Sequence, residues 1–384
     1  MSIDRAINIE DLHRLARRRL PKIAFDFIEG GVEDEDGLER NTAAFRRHRL
    51  LPRYLADVAT IDQSTTLLGR SYASPFGIAP TGLGSLFRPG ADLILAEAAA
   101  AANIPFILSG ASSSSIEAVA KVAPNHAWYQ LYGARDRKIS EDLIRRSHDA
   151  GLGTLMLTVD VPVTPKRERN IRNGFTRPLK MSVMTYLEAM LHPGWVIDYL
   201  RNGGMPFFEN WQPYAPAGAS ASAVADFVST QTPASDQTWR DFENFRKLWP
   251  GKLAIKGIMH PGDARRAVEL GVDGILVSNH GGRQLDRAPA SLEALPAIKA
   301  AVGDKVTLML DSGVRRGADI LVAWALGARF AFVGRATLYG AAAGALPGAR
   351  KAIEILRHEI ELNMKQIGCP DLASVGPDCL FSPG

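Results

Sequence analysis

The decapeptide GILVSNHGGR, residues 274–283, begins with four apolar positions and ends in a histidine, two glycines and an arginine. Gly274 to Val277 reads as a strand buried on both faces: it is short, apolar and bounded by turn-forming residues. Ser278, Asn279, His280, Gly281, Gly282, Arg283, Gln284, Leu285 and Asp286 then leave the strand end. They bring a titratable base, a fixed cation, and glycines that let another molecule approach the backbone closely. The same layout recurs along the chain, and that recurrence decides the fold.

Seven more short apolar runs occur, at 76–80, 106–109, 127–132, 154–160, 253–257, 307–311 and 330–334. Helix-period stretches lie between them, for instance Ala91 to Ala102, Lys138 to Ala150, Pro261 to Leu270, Leu292 to Ala301 and Ala318 to Leu326. Alternating strands and helices predict a parallel sheet, and a count of eight predicts a closed (β/α)8 TIM barrel, with a doubly wound open sheet as the competing architecture. Polar residues gather at one end of each strand: Pro80, Thr81 and Gly82; Ser109; Gln130 and Tyr132; Thr158 and Asp160; Lys256; Ser278, His280 and Arg283; Asp311 and Arg315; Gly334 and Arg335. In such barrels that end carries the active site. For any single residue, polar sequence simply resuming after a strand explains as much; eight ends together favour a site.

Two of these ends suit a phosphate. Asp311-Ser312-Gly313-Val314-Arg315-Arg316-Gly317 and Gly334-Arg335 would bring backbone amides and guanidinium groups to the usual barrel phosphate position. Gly82-Leu83-Gly84, by contrast, lacks the third glycine of a dinucleotide fingerprint and is followed by Phe87.

Composition narrows the classes further. The 384 residues are 46% hydrophobic and 22% charged, enough for one large domain or two ordinary ones. A formal charge of +4, with arginines scattered or in short runs such as Arg17-Arg18-Arg19, gives no footprint for nucleic acid. The two cysteines, Cys369 and Cys379, fall outside metal-ligand spacing, so a reducing cytoplasm and no metal are expected, and neither thiol is expected to be catalytic. The N-terminus mixes Asp4, Arg5, Glu10 and Asp11 without an apolar signal core, and no apolar run could cross a bilayer.

Residues 175–236, after the fourth strand, are too many for an ordinary strand-to-helix loop. The first part, Met181 to Leu191 and Trp195 to Leu200, is rich in Met, Leu and aromatics, with Arg177, Lys180 and Arg201 nearby. It suits an interfacial membrane segment and, equally, a lid or a subunit contact. Glu188, Pro193 and Asp198 argue against a transmembrane helix. Ala215 to Ser222 reads as a mobile linker.

The stretch Ser278 to Asp286, with Leu310 to Gly317, Gln130-Leu131-Tyr132 and Thr158-Val159-Asp160, resembles the FMN-dependent 2-hydroxy acid oxidases and dehydrogenases. The resemblance runs from Leu20-Pro21-Lys22 to Gln366-Ile367-Gly368-Cys369-Pro370. Leu191-His192-Pro193 and Arg335 to Gly340 bring it nearest to the membrane-associated mandelate and lactate dehydrogenase branch. It implies a single-domain barrel over 1–384, a homotetramer by analogy, and oxidation of an (S)-2-hydroxy acid. Electrons would go to a quinone-type acceptor at the inner membrane face, or to oxygen in a soluble oxidase. In those terms His280 is the base, Asp160 orients it, Arg283 and Arg167 clamp a carboxylate, and Tyr132 donates to substrate oxygen. Pro80, Thr81, Gly82, Ser109, Gln130, Thr158, Lys256, Ser278, Asp311, Gly313, Arg315, Gly334 and Arg335 are expected to hold FMN.

Three departures accompany the resemblance. Phe25 is expected where many relatives carry a tyrosine hydroxyl, Ala111 where the glycolate oxidases carry a tryptophan, and Gly82 where the oxidases carry an alanine. Ala111 leaves room for a larger substrate, and Gly82 is the choice of the dehydrogenase branch. A degenerate flavin-binding barrel and a flavin-dependent isomerase are the remaining readings, and the joint presence of His280, Arg283, Arg167 and Asp160 argues against both.

Overall fold

Each of the eight apolar runs folds as a parallel strand, and the set closes on itself. In the computed structural model, which describes residues 2–175 and 182–381, the strands are β1 (Phe76–Ile78), β2 (Phe106–Leu108), β3 (Ala127–Tyr132), β4 (Thr154–Thr158), β5 (Lys252–Ile258), β6 (Gly274–Val277), β7 (Thr307–Leu310) and β8 (Phe330–Val333). β8 pairs in parallel with both β7 and β1, so the ring has no edge, and the doubly wound alternative is excluded.

The strands are apolar on both faces because both faces are covered. Alternate residues point inward: Ile107, Trp128, Met156, Ala254, Leu276, Met309, Phe330 and Phe332 fill the barrel. Their neighbours, such as Leu108, Leu155, Leu157, Ile255 and Ile275, pack outward against the helices. A short hairpin, Thr65–Leu67 with Arg70–Tyr72, adds Leu67 and Tyr72 to the inner cluster, and Tyr72 meets Phe330 edge-on at 5.9 Å. This plugs the amino end of the barrel and leaves function to the carboxyl end.

Three helices precede the barrel, Ile9–Arg19, Lys22–Glu29 and Asp36–Arg46. The long segment after β4 holds helices Glu168–Arg172, Val183–Met190, Pro193–Arg201, Ala221–Gln231 and Trp239–Leu248. Arg177, Lys180 and Met181 lie outside the described residues. The linker expected over Ala215 to Ser222 is in part structured. Ser220 caps the helix Ala221–Gln231 by accepting from the Ala223 amide at 3.3 Å, and Val224 and Val228 bury that helix against the core. The serines and alanines there serve a helix start, which composition does not separate from a flexible run. Among the described residues no helix is long and apolar enough to cross a membrane.

Gly77 in β1 is a tight point of the barrel wall. A Cβ there would lie 2.7 Å from the Pro105 carbonyl oxygen and 2.9 Å from the Phe332 ring. Gly77→Ala should therefore destabilise the fold by about 1–3 kcal/mol, the usual cost of overpacking a filled core, read from the midpoint of urea unfolding.

Candidate active site

Strand register brings the polar ends together. β3 pairs with β4 so that Tyr132 lies beside Thr158, and β4 with β5 so that Thr158 lies beside Lys256. Gln130 uses its Oε1 to accept from the Gly110 amide at 3.1 Å and from Ser109 Oγ at 3.3 Å. Gln130 Nε2 and Thr158 Oγ1 are then buried without a partner. Unsatisfied buried polar groups are costly, so this part of the pocket has the donors and acceptors that a polar heterocycle would satisfy. Lys256, 4% exposed, donates to Ser278 Oγ at 2.8 Å and lies 3.3 Å from Asp311 Oδ2. Burial pushes the ammonium pKa down, but the Asp311 and Asp160 carboxylates outweigh it and hold the pKa above its ordinary value. Lys256 is a fixed cation.

His280 sits in the left-handed region at φ 59°, its amide donating to Ser278 Oγ at 3.0 Å. Its Nδ1 lies 3.0 Å from Asp160 Oδ1, and its Nε2 3.5 Å from Tyr132 Oη. Burial works to raise the Asp160 pKa, yet His280 and Lys256 hold its carboxyl below the usual range, so it stays ionised and accepts a hydrogen bond from His280 Nδ1–H. That leaves Nε2 as the free acceptor. Burial lowers the pKa of His280, Asp160 opposes this, and Lys256 adds to it; the net direction is down. Gly257, at φ 99°, makes room for the pair, since a Cβ there would lie 2.5 Å from Asp160 Cβ.

Three guanidinium groups converge beside this pair. Arg283 donates through Nη1 to the carbonyl oxygens of Phe27 at 2.9 Å and Gly30 at 2.6 Å. Arg335 donates to those of Ile28 at 2.8 Å, Gly281 at 3.0 Å and Gly30 at 3.0 Å. Arg167 Nε reaches the Arg283 carbonyl at 3.4 Å. Burial drives the Arg283 pKa well down, and Arg167 and Arg335 push it further. Such a cluster of buried cations calls for an anion.

Arg335 spends most of its donors on backbone, so toward a phosphate it offers mainly charge. Arg315 is freer: it donates to the Val314 carbonyl at 2.9 Å and lies 5.9 Å over the Tyr339 ring. Ser312 and Gly313 have φ values of 76° and 93°, and Ser312 Oγ bridges the Gly281 amide at 2.9 Å and Asp311 Oδ1 at 2.8 Å. A helix begins at Arg335, immediately after Gly334, and first-turn amides have no partner within their own helix. A Cβ built on Gly334 would lie 3.8 Å from Thr81 Cγ2, so the Pro80–Thr81–Gly82 end of β1 adjoins this region. A Cβ on Gly82 would lie 3.1 Å from Ala111 Cβ, which makes those two positions direct neighbours.

One expected pocket residue lies elsewhere. Phe25 is 3% exposed, with its ring 5.3 Å from that of His13 and the Arg17 guanidinium 5.5 Å away, behind the helix Lys22–Glu29. Two residues on, about 200° around the helix, Phe27 lies 5.2 Å from the Arg283 guanidinium and 4.7 Å from the Phe175 ring. Phe27, not Phe25, is therefore the aromatic of this helix that lies beside the arginine cluster. Sequence reasoning also missed Asn41, which pairs with Asn279 beside His280. A signal was present: Asn41 shares the buried face of its helix with Gly37, Ala44 and Phe45.

The profile of the FMN-dependent dehydrogenase family matches residues 16–382. The (S)-mandelate dehydrogenase of Pseudomonas putida is 41% identical over 98% of this chain and 94% of its own length. A putative L-lactate dehydrogenase of Mycobacterium tuberculosis (strain ATCC 25618 / H37Rv) is 41% identical over 97% of this chain and 88% of its own. The crystal structure of the monotopic membrane protein (S)-mandelate dehydrogenase superposes with a TM-score of 0.94 at 40% identity, covering 99% of this chain and 100% of that one.

His280 should titrate below the ordinary histidine value of about 6.5. Asp160→Asn removes the group that favours the protonated ring, so the titration should move lower still. Both are read from the imidazole carbon resonances in an NMR pH series, and a midpoint at or above 6.5 in the parent protein would contradict the burial argument.

Proposed function

The chain belongs to the FMN-dependent dehydrogenase family, and on that premise we propose which of its residues carry the oxidation of a 2-hydroxy acid to the 2-oxo acid and where the electrons go. The observation that carries the assignment is the His280–Asp160 pair at 3.0 Å beside converging cations. Arg283 and Arg167 take the substrate carboxylate, for which a guanidinium is geometrically matched. Among the described residues, Nε and Nη2 of Arg283 carry no hydrogen bond and are the donors for that task. Tyr132, whose pKa burial raises, stays protonated and donates to a substrate oxygen. His280 Nε2 accepts the proton, and the ionised Asp160 stabilises the imidazolium that forms.

The residues fit FMN. Gln130 Nε2 and Thr158 Oγ1, orphaned beside Lys256, suit the polar edge of its ring. Pro80, Thr81, Gly82 and Ser109 would line its ring, together with Lys256 and the Ser278 hydroxyl to which it donates, and Asp311, Gly313, Arg315, Gly334 and Arg335 would hold its ribityl and phosphate end. Bound FMN supplies the acceptor for two electrons. Lys256 sets a positive potential there that favours added negative charge. Ala111 and Phe27 give the pocket an apolar side, which favours an aromatic or branched substrate over a small one.

The hairpin of helices Val183–Met190 and Pro193–Arg201 supports a membrane site. Val183, Met184, Leu187, Met190, Leu191, Ile197 and Leu200 are exposed, Leu191 at 77% and Leu200 at 68%. Polar groups of the hairpin meet the body instead: Glu188 accepts from the Lys22 amide at 2.6 Å, Trp195 donates to the Leu86 carbonyl at 2.8 Å, and Asp198 pairs with Arg19 and Arg88. An apolar outer face rimmed by exposed Arg17, Arg18 and Arg201 suits the headgroup region of a bilayer. We place the chain, as a homotetramer by family analogy, on the cytoplasmic face of the cell membrane with a quinone as acceptor.

His280→Ala should retain FMN yet slow flavin reduction by mandelate and lactate roughly a hundredfold to ten-thousandfold in anaerobic stopped flow. Ordinary reduction in that variant would refute the base assignment.

Leu187→Glu combined with Leu191→Glu should abolish sedimentation with anionic vesicles and leave flavin reduction at the parent rate. Undiminished sedimentation would refute the membrane site.

A further inference from the structure

The mouth of the barrel holds five consecutive or near-consecutive residues in the left-handed region: His280, Gly281 and Gly282 after β6, at φ 59°, 68° and 73°, and Ser312 and Gly313 after β7, at 76° and 93°. Glycine adopts such backbone freely, but His280 and Ser312 keep it only where their surroundings over-determine it. One helix packs on both loops, Asp36–Arg46, which lies outside the barrel and ahead of it in the chain.

Its contacts are close. A Cβ on Gly282 would lie 2.6 Å from the Leu38 amide, and one on Gly313 would lie 2.4 Å from the Asn41 carbonyl oxygen. Asp286 Oδ1 accepts from the Gly37 amide at 2.8 Å, and Arg40 donates to the carbonyls of Asp286 at 3.0 Å and Ala288 at 2.7 Å. At the centre, Asn41 and Asn279 form a reciprocal amide pair: each side-chain NH₂ donates to the other's oxygen, at 2.9 and 2.8 Å. Asn279 Oδ1 also accepts from the Gly282 amide at 3.2 Å, and its Nδ2 donates to the Pro289 carbonyl at 3.0 Å. Asn279 precedes the base, and the Asn41 backbone presses on the loop that carries Gly313.

We infer that Asn41 is a positioning residue that locks the His280 loop and the Gly313 loop into one unit, so that proton acceptance and FMN retention depend on the same buried amide pair. The inference rests on the roles proposed above for His280 and Gly313. Asn41 touches neither substrate nor flavin. It acts by fixing the Asn279 side chain, which in turn fixes the left-handed turn through the Gly282 amide. Removing it takes one donor from Asn279 Oδ1 and one acceptor from Asn279 Nδ2, so the side chain is held only by the Gly282 amide and the Pro289 carbonyl and the turn is freer to relax.

The test uses the FMN-loaded full chain with Asn41→Leu, Asn41→Asp, and Thr42→Ala on the exposed side of the same helix turn as control. Asn41→Leu should release FMN on the order of tenfold faster, by fluorescence of the freed flavin, from the loss of buried pairing. At saturating FMN its reduction should be slower, with the pH at which the rate rises shifted upward toward the ordinary histidine range as water reaches the loosened ring. Asn41→Asp supplies a readout that bulk alone would not move. An un-ionised carboxyl can donate its O–H to Asn279 Oδ1 and accept from Asn279 Nδ2, whereas the carboxylate cannot donate. FMN release from this variant should therefore slow toward the parent rate as pH falls from 8 to 5.

Parent-like FMN release and reduction in Asn41→Leu would overturn the inference, and so would faster release with an unchanged rate and pH profile. If Asn41→Leu does not fold, pH-independent FMN release from Asn41→Asp overturns it and pH-dependent release supports it. His280→Ala measured alongside separates the two claims: normal reduction there removes the base assignment, while the flavin-release arm still judges Asn41.

Discussion

Arg283 and Arg335 share the carbonyl oxygens of residues 27 to 30, and the mouth of the barrel depends on that contact. The carbonyls are those left unsatisfied where the helix Lys22–Glu29 ends. Arg283 belongs to the loop after β6 and Arg335 opens the helix after β8, far apart in sequence. Each side answers a need of the other: the carbonyls gain donors, and two buried cations gain partial negative charge that costs no net carboxylate. A carboxylate at this place would have neutralised the site and left it indifferent to an anionic substrate. Backbone oxygens hold the arginines still while leaving their positive charge available.

A second balance is kept a few ångströms away. Lys256 lies 3.3 Å from Asp311 and gains from Asp160, while Asp160 also faces His280. Two acids, one permanent cation and one neutral imidazole leave the ring as the group able to change its charge near neutral pH. Asp160, which we propose orients the base, is held below the usual carboxylate range by Lys256 and His280 and is thus a weaker proton acceptor than the ring.

Much of this was legible from the chain. Buried parallel strands are short apolar runs, and the polar residues at their carboxyl ends are visible because the contrast is abrupt, as at Val277–Ser278 or Leu310–Asp311. What escaped was what depends on the angle around a helix or on packing between distant segments. Phe25 and Phe27 are separated by two positions, and only the direction in which the helix lies on Arg283 selects between them. Asn41 shows only that it shares a helix face with Gly37, Ala44 and Phe45, and its partner is set when the β6 loop is packed against it. The run Ala215 to Ser222 has the composition of a linker, and Ser220 uses it to start a helix whose valines are buried elsewhere.

The hairpin after β4 is fastened to Lys22, at the start of the helix whose far end meets the arginines, and to Leu86, in the loop that follows β1. Both attachments are on the carboxyl face of the barrel. With the hairpin resting on lipid as proposed, the catalytic opening would be held at a fixed height and tilt over the bilayer, and encounters with a lipid-dissolved acceptor would become two-dimensional. Such encounters scale with the number of acceptor molecules per unit area of membrane, whereas the hydroxy acid still arrives from the aqueous volume. The two half-reactions would then answer to different concentrations, one set by the aqueous phase and the other by the membrane's own composition.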